Sequence, residues 1–232
     1  MGDYGDDLAY IHHHGFSEFI DSAAPGILET LWREGIRDGL VLDVGCGSGI
    51  LARELTRSGF DVLGIDASPA MIALARNTAP DARFAIASFE DAELPRCKAI
   101  TAVGEVLSYG DIRAFLPRAA DALEPGGVLL FDAAASAIDD ERRIDGDDWS
   151  VIFIRHGNTR RILTFRMQGE EMRRGEEVHA LHFHDRETLR ALLATHFTVR
   201  TRRSYGTRRL PPGHIVYICK RRPDRKGETR RR

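Results

Sequence analysis

Apolar and polar positions alternate along the first 135 residues in two rhythms. Phe16, Phe19, Ile20 and Ala23 recur at helical spacing. Pro25 stands where a first helical turn tolerates it, and Ile27, Leu28, Leu31 and Trp32 continue the stripe. Leu40 to Val44 is a short, mostly apolar run that predicts a buried parallel strand. A glycine loop follows, then a helix over Ile50 to Arg57 and a strand over Phe60 to Ile65. Ser68 caps a helix with Pro69 in its first turn, running to about Arg76. Strands over Arg83 to Ala87, Lys98 to Val103 and Val128 to Asp132 follow, with a helix over Asp111 to Leu123 before the last of them. Strands alternating with helices at this spacing predict a parallel α/β sheet with right-handed crossovers.

The rhythm changes after residue 135. Ser136 to Asp148 reads as acidic and irregular. Trp149 to Ile154, Arg161 to Met167 and Glu177 to His184 read as strands, with turn signals at Gly157-Asn158 and Gly169-Glu170. The expectation is an antiparallel β-meander inserted after the fifth strand. Asp185 caps a helix over Arg186 to His196, and Phe197 to Ser204 and His214 to Lys220 form a terminal strand pair. This divides the chain into a core of residues 1–135 and 185–220, an inserted β-rich cap of 136–184, and a basic, disordered tail of 221–232.

Charge sharpens that division. The formal net charge is −2, but residues 1–150 hold 27 acidic and 12 basic side chains while residues 151–232 hold 8 and 21. The first part is therefore −15 and the second +13. Without the tail, residues 151–220 remain at +8, so the asymmetry belongs to the folded part. Three scattered cysteines without a CxxC argue against a disulfide framework or a zinc site, and no metal is expected. The acidic N-terminus is not expected to be a signal peptide, and no apolar run of about 18 residues appears, so the expectation is a cytoplasmic protein without a membrane contact.

The segment that carries most chemistry is Val41-Leu42-Asp43-Val44-Gly45-Cys46-Gly47-Ser48-Gly49. A strand feeds a glycine turn that opens a helix, and glycines let a ligand touch the backbone. The spacing is GxGxG. The dinucleotide pattern GxGxxG needs glycine at position 50, where Ile50 stands. Asp66 ends the second strand, 21 residues after Gly45, where a carboxylate can accept from both hydroxyls of a ribose. The competing role for Asp66 is to cap the helix that begins near Ser68.

These residues resemble the motifs of class I S-adenosylmethionine-dependent methyltransferases. Val41 to Gly49 is similar to that superfamily's first motif nearly letter for letter, and Gly64 to Ile72 to its second. Ala87 to Pro95 resembles its third segment, although Ser88 and Phe89 stand where Gly-Asp is common, with Asp91 an alternative adenine partner. Pro125-Gly126-Gly127 looks like the family's usual turn. The resemblance implies a Rossmann-like seven-stranded sheet, mostly parallel with an antiparallel terminal strand and helices on both faces, plus the inserted meander as a substrate cap. It implies S-adenosylmethionine as cofactor, held by Asp43, Gly45, Cys46, Gly47, Gly49, Asp66, Ala67, Met71, Ser88, Phe89 and Gly104.

Substrate chemistry is less sharply written. Glu105 follows the fourth strand, near the transferred methyl in the resembling enzymes, and can bind an amine or act as a base. Tyr10 and His14, four apart on one helix face, and the neighbouring His12 and His13 lie in a segment that often closes over the cofactor in that superfamily. Glu105, His14 and Tyr10 are the catalytic candidates. His179, His182 and His184 read as structural or substrate-lining. Arg155, Arg160, Arg161 and Arg166 suit carboxylate or phosphate recognition, against the alternative of a solvated sheet face. The expected activity is methyl transfer to an oxygen, nitrogen or carbon of a small molecule bearing an anionic group, by a monomer or homodimer. The alternatives are an RNA or protein methyltransferase using the basic second half, and a non-catalytic cofactor-binding protein. The missing Asn/Asp-Pro-Pro-aromatic motif and a tail without aromatic residues argue against nucleic acid.

Overall fold

The computed structural model describes residues 4–134 and 139–223. Its central sheet has seven strands: β1 (Leu40–Val44), β2 (Asp61–Asp66), β3 (Arg83–Ile86), β4 (Cys97–Ala102), β5 (Leu123–Ala134), β10 (Phe197–Arg202) and β13 (His214–Arg221). Their order is β10-β13-β5-β4-β1-β2-β3. β13 runs antiparallel to both its neighbours, β5 and β10, and the other pairings are parallel. The expected seven-stranded, mostly parallel sheet is therefore present.

Period-two burial shows why helices cover both faces. In β5, Leu129 and Phe131 face α4 (Ile112–Ala122) and α5 (Arg186–Ala194), while Val128 and Leu130 face α1 (Asp6–Arg33) and α2 (Ile50–Arg57). The remaining helix, α3 (Pro69–Thr78), starts as its sequence predicts, with the Ser68 hydroxyl accepting from the Met71 N–H at 3.2 Å.

α1 departs from expectation. It is one helix of 28 residues, beginning at Asp6 and running through Pro25. Proline removes a helical N–H, yet Ala23, Ala24, Gly26 and Ile27 around it are buried, so packing overrides propensity. At Gly26 a Cβ would stand 2.2 Å from the Gly206 backbone nitrogen, which brings α1 onto the small hairpin of β11 (Ser204–Tyr205) and β12 (Arg208–Arg209).

Between β5 and α5 lies a second sheet of four antiparallel strands in the order β6 (Asp140–Asp145), β7 (Trp149–His156), β8 (Thr159–Gln168) and β9 (Glu171–Ala180). The turns fall at Gly157 and Gly169, both with positive φ. β6 occupies part of the stretch expected to be irregular. Its residues are Asp-Glu-Arg-Arg-Ile-Asp, which carry no strand signal, and pairing with β7 makes them a strand. The start of α1 packs on this sheet: Leu8, Ile11, Val151 and Ile162 form a small buried cluster of their own. Residues 136–138 of the segment expected to be irregular, and residues 224–232 of the expected tail, lie outside the described residues. The expected tail boundary at 221 falls inside ordered chain, because Arg221 closes β13 and the Arg222 N–H donates to the His196 carbonyl at 3.0 Å.

Candidate active site

The carboxyl ends of β1, β2, β4 and β5 meet at one edge of the sheet, where open α/β sheets bind ligands. At the end of β1, Gly45, Gly47 and Gly49 all have positive φ, of 62°, 51° and 79°. Gly45 and Gly49 are also held by packing: a Cβ would stand 2.4 Å from Val106 at the first and 2.9 Å from Ala75 at the second. Gly47 differs, since its Cβ position has nothing within 4 Å. The loop is pinned by the Cys46 N–H on the Ile65 carbonyl at 3.0 Å.

Asp66 joins the loop to β2. Its Oδ2 accepts from the Gly47 N–H and its Oδ1 from the Ser68 N–H, both at 2.9 Å. The helix cap itself is Ser68, so Asp66 braces the loop between the end of β2 and the start of α3. Ala67 lies between Asp66 and that cap. Asp43 is 2% exposed. Its Oδ1 accepts from Thr101 Oγ1 at 2.7 Å, and its Oδ2 is buried with no hydrogen-bond partner. Burial, with a smaller push from Asp66, raises its pKa to about 7 against the Thr101 hydrogen bond.

Met71 is buried in α3. Ser88 accepts backbone N–H groups from Asp91 and Ala92, and its hydroxyl accepts from Glu90 N–H at 3.2 Å. The Phe89 ring packs edge-on against Phe115, with centroids 5.4 Å apart, inside the core beneath α4. Asp91 is exposed.

After β4 the chain makes two consecutive left-handed residues, Gly104 at φ 95° and Glu105 at φ 61°. Glu105 is the one non-glycine residue with positive φ among the described residues. Both N–H groups point at the buried Asp132 carboxylate, at 2.8 and 3.1 Å, and the Tyr205 hydroxyl donates to the same group at 2.8 Å. Asp132 therefore holds the turn that carries the buried Glu105 side chain. There Arg155 Nη2 (3.2 Å) and Arg160 Nη2 (2.8 Å) converge on Oε2, and His214 Nε2 lies 2.6 Å from Oε1. Burial works to raise the Glu105 pKa, but the His214 hydrogen bond and the Arg160 charge prevail and hold it at about 2.

An aromatic group adjoins this cluster. Arg160 Nη1 donates to the Tyr109 hydroxyl at 2.8 Å, and the Tyr4 hydroxyl lies 3.2 Å from that of Tyr109. The Tyr4 ring meets His12 and His179 edge-on, at 5.6 and 5.4 Å. His12 keeps some exposure, but its Nδ1 is enclosed without a partner, and burial lowers its pKa to about 4. His179 Nε2 donates to Glu177 at 2.8 Å. The structure places Tyr10 and His14 elsewhere: the Tyr10 hydroxyl donates to Asp148 at 2.9 Å beneath the Arg166 guanidinium, and the His14 ring stacks on Tyr10. Within α1, Leu8, Ile11 and Tyr10 pack on the second sheet while His14 is exposed.

The seven-stranded order with β13 inserted antiparallel, and a glycine loop followed by an acid at the end of β2, define the S-adenosylmethionine-dependent methyltransferase fold. The chain belongs to the methyltransferase-domain family, whose sequence model matches residues 16–196. A ubiquinone biosynthesis O-methyltransferase from Nitrobacter winogradskyi is 37% identical over 94 residues, covering 38% of this chain and 36% of that protein. One from Paramagnetospirillum magneticum is 33% identical over 130 residues, covering 53% of this chain and 49% of that protein. The matches thus span half or less of those relatives' length. Among solved structures, a sugar N-methyltransferase from Streptoalloteichus has a TM-score of 0.77 at 20% identity, covering 96% of both chains. A methyltransferase from Clostridium acetobutylicum has a TM-score of 0.75 at 18% identity, covering 88% of this chain and 92% of that one. These two likenesses are of fold. Among the described residues no helix is long and apolar enough to cross a membrane.

Proposed function

We propose that the chain transfers a methyl group from S-adenosylmethionine to a small-molecule acceptor that carries an anionic group. The observation that carries the cofactor half is the pairing of the open Cβ position at Gly47 with the partnerless buried oxygen of Asp43. The first leaves room for a ligand against the backbone; the second is an acceptor that a cationic ligand would satisfy. Asp66 would take the ribose hydroxyls, the backbone from Gly45 to Gly49 the amino-acid portion, and Met71, Ser88 and Gly104 the rest of the cradle.

The sulfonium methyl is already electrophilic when bound, so the protein's work is alignment and exclusion of water. Glu105, held at about 2, is a feeble base, and we assign it an electrostatic and orienting role. The four-stranded sheet, tied to the core through Glu105 and through the His182 N–H on the Ser108 carbonyl at 2.7 Å, serves as the substrate cap. The matching relatives are named O-methyltransferases, which favours an oxygen acceptor.

Titration calorimetry with S-adenosylmethionine and NAD tests this reading, together with a screen for S-adenosylhomocysteine release over phenols, amines and carboxylates. Binding of S-adenosylmethionine and release with an acceptor are expected. Binding of NAD without S-adenosylmethionine would overturn the proposal.

A further inference from the structure

Arg155 and Arg160 are directly opposed across the β7–β8 ladder, two residues either side of the turn at Gly157-Asn158. Directly opposed residues share a sheet face, and like charges so placed repel. The pair is also desolvated, at 14% and 11% side-chain exposure. Two guanidiniums are stable there only with an anion between them. The anion is Glu105 Oε2, shared by both.

His214 adds a third positive charge. Its Nε2 faces Glu105 Oε1 and its Nδ1 faces the Pro212 carbonyl at 3.4 Å. The Nε2–H donates to the carboxylate, and that bond with the Glu105 charge raises the His214 pKa against its partial burial, which favours the imidazolium. Two guanidiniums, and an imidazole whose charged form is favoured, thus surround one carboxylate. Other charges nearby do not balance them. The Asp132 carboxylate is spent on two backbone N–H groups and Tyr205. Asp140, opposite Arg155 on β6, is exposed and forms no ion pair among the described residues. The other position opposite Arg160 belongs to His179. Arg155 in particular has a single hydrogen-bond partner among the described residues, Glu105.

Topology puts this excess charge at the sheet edge where the acceptor would lie. Because β13 is antiparallel, its first residue, His214, pairs with Ala134 at the end of β5. The residues flanking the β7–β8 turn reach the same edge through the Arg155 and Arg160 bonds to Glu105, and the chain just past β9 through the His182 N–H on the Ser108 carbonyl at 2.7 Å.

We propose that Arg155, Arg160 and His214 form a binding site for a carboxylate carried by the methyl acceptor, with Glu105 as the internal carboxylate against which it competes. The class follows from the occupant: a planar monoanion already sits between two guanidinium forks and an imidazolium. The proposal rests on the methyltransferase reading for the word acceptor, but the anion site stands on its own geometry.

Benzoate is the probe, with benzamide as its neutral isostere and inorganic phosphate as the other oxyanion, each titrated by calorimetry. Wild type should bind benzoate at least fivefold more tightly than benzamide or phosphate. Glu105→Gln, which removes the competing charge, should tighten benzoate at least fivefold. Arg155→Gln and Arg160→Gln should each weaken it at least fivefold. Should Glu105→Gln fail to fold, His214→Gln decides: losing one positive charge should weaken benzoate and leave benzamide unchanged. Equal binding of benzoate and benzamide, stronger binding of phosphate, or no weakening in the arginine and histidine variants would overturn the proposal. S-adenosylhomocysteine is titrated into the same samples. Its failure to bind wild type would sink the methyltransferase reading while the benzoate result still stands or falls alone.

Discussion

Gly47→Ala separates a ligand contact from a folding requirement. Gly47 has φ 51° with nothing within 4 Å of its Cβ position. Gly59, just past α2, has φ 89° and equally open surroundings, and it is exposed. Alanine at either position must adopt the left-handed region, at a cost of about 1–2 kcal/mol. In a domain of this size that lowers Tm by about 2–4 °C per kcal/mol, so Gly47→Ala and Gly59→Ala should melt within a few degrees of each other. Their cofactor affinities should differ. If the space beside Gly47 is where S-adenosylmethionine lies against the backbone, a methyl group there costs at least about 1.4 kcal/mol, a tenfold rise in Kd. Gly59→Ala should bind as wild type does. The assay is calorimetry at matched folded fractions, with Tm from differential scanning. Gly47→Ala with wild-type affinity would refute the assignment of the loop as the cofactor cradle. Gly45 cannot serve, because its Cβ would strike Val106 and confound binding with folding.

Asp66→Ala removes the acceptor for the Gly47 and Ser68 N–H groups and should weaken S-adenosylmethionine by about 1–3 kcal/mol in the same titration; unchanged affinity would mean the ribose is held elsewhere. Asp43 keeps its proton up to a pKa of about 7, and a cationic ligand needs the carboxylate. Below pH 7 binding must therefore expel a proton, so affinity should rise about tenfold per pH unit up to 7 and level off above it. Asp43→Asn should abolish the slope, and a flat wild-type profile would contradict the contact. Ile11→Ala opens a cavity in the small cluster between α1 and the second sheet and should cost about 2–5 kcal/mol locally. Hydrogen exchange should quicken in β7 and β8 and not in β1 or β4; uniform acceleration would show that the two sheets unfold as one.

The loop and acid assigned to the cofactor in the proposed reading were legible because they are local. Gly45 to Gly49 and Asp66 fall within one strand–helix–strand unit, where spacing alone carries the chemistry. Strand alternation and the caps at Ser68 and Asp185 were legible for the same reason. The other side was not. His214 and Glu105 are 109 residues apart, and only the antiparallel insertion of β13 brings them together. Asp132 ends an apolar strand and gave no motif, although a carboxylate there, beside the Gly104-Glu105 turn, is the signal that was available. β6 is a strand by pairing alone. Pro25 predicted a helix start where packing against the β11–β12 hairpin carries one helix through.

The charge division also changes meaning once its members are placed. Several arginines of the second sheet reach solvent in ion pairs: Arg161 with Glu176, Arg143 with Asp145, and Arg173 with Asp7. Exposed pairs of this kind contribute between about 0 and 1 kcal/mol and attract little beyond a Debye length. Their number therefore says almost nothing about a partner. Arg155 and Arg160 are two of the 21 basic residues after position 150, but they are desolvated, opposed and served by one carboxylate. In a medium of low effective dielectric, an unbalanced positive charge at such a place selects its ligand far more strongly than the +13 total does. On the proposed reading the sum points only to a half of the chain, whereas the selectivity would reside in how few anions the structure supplies to that one pair.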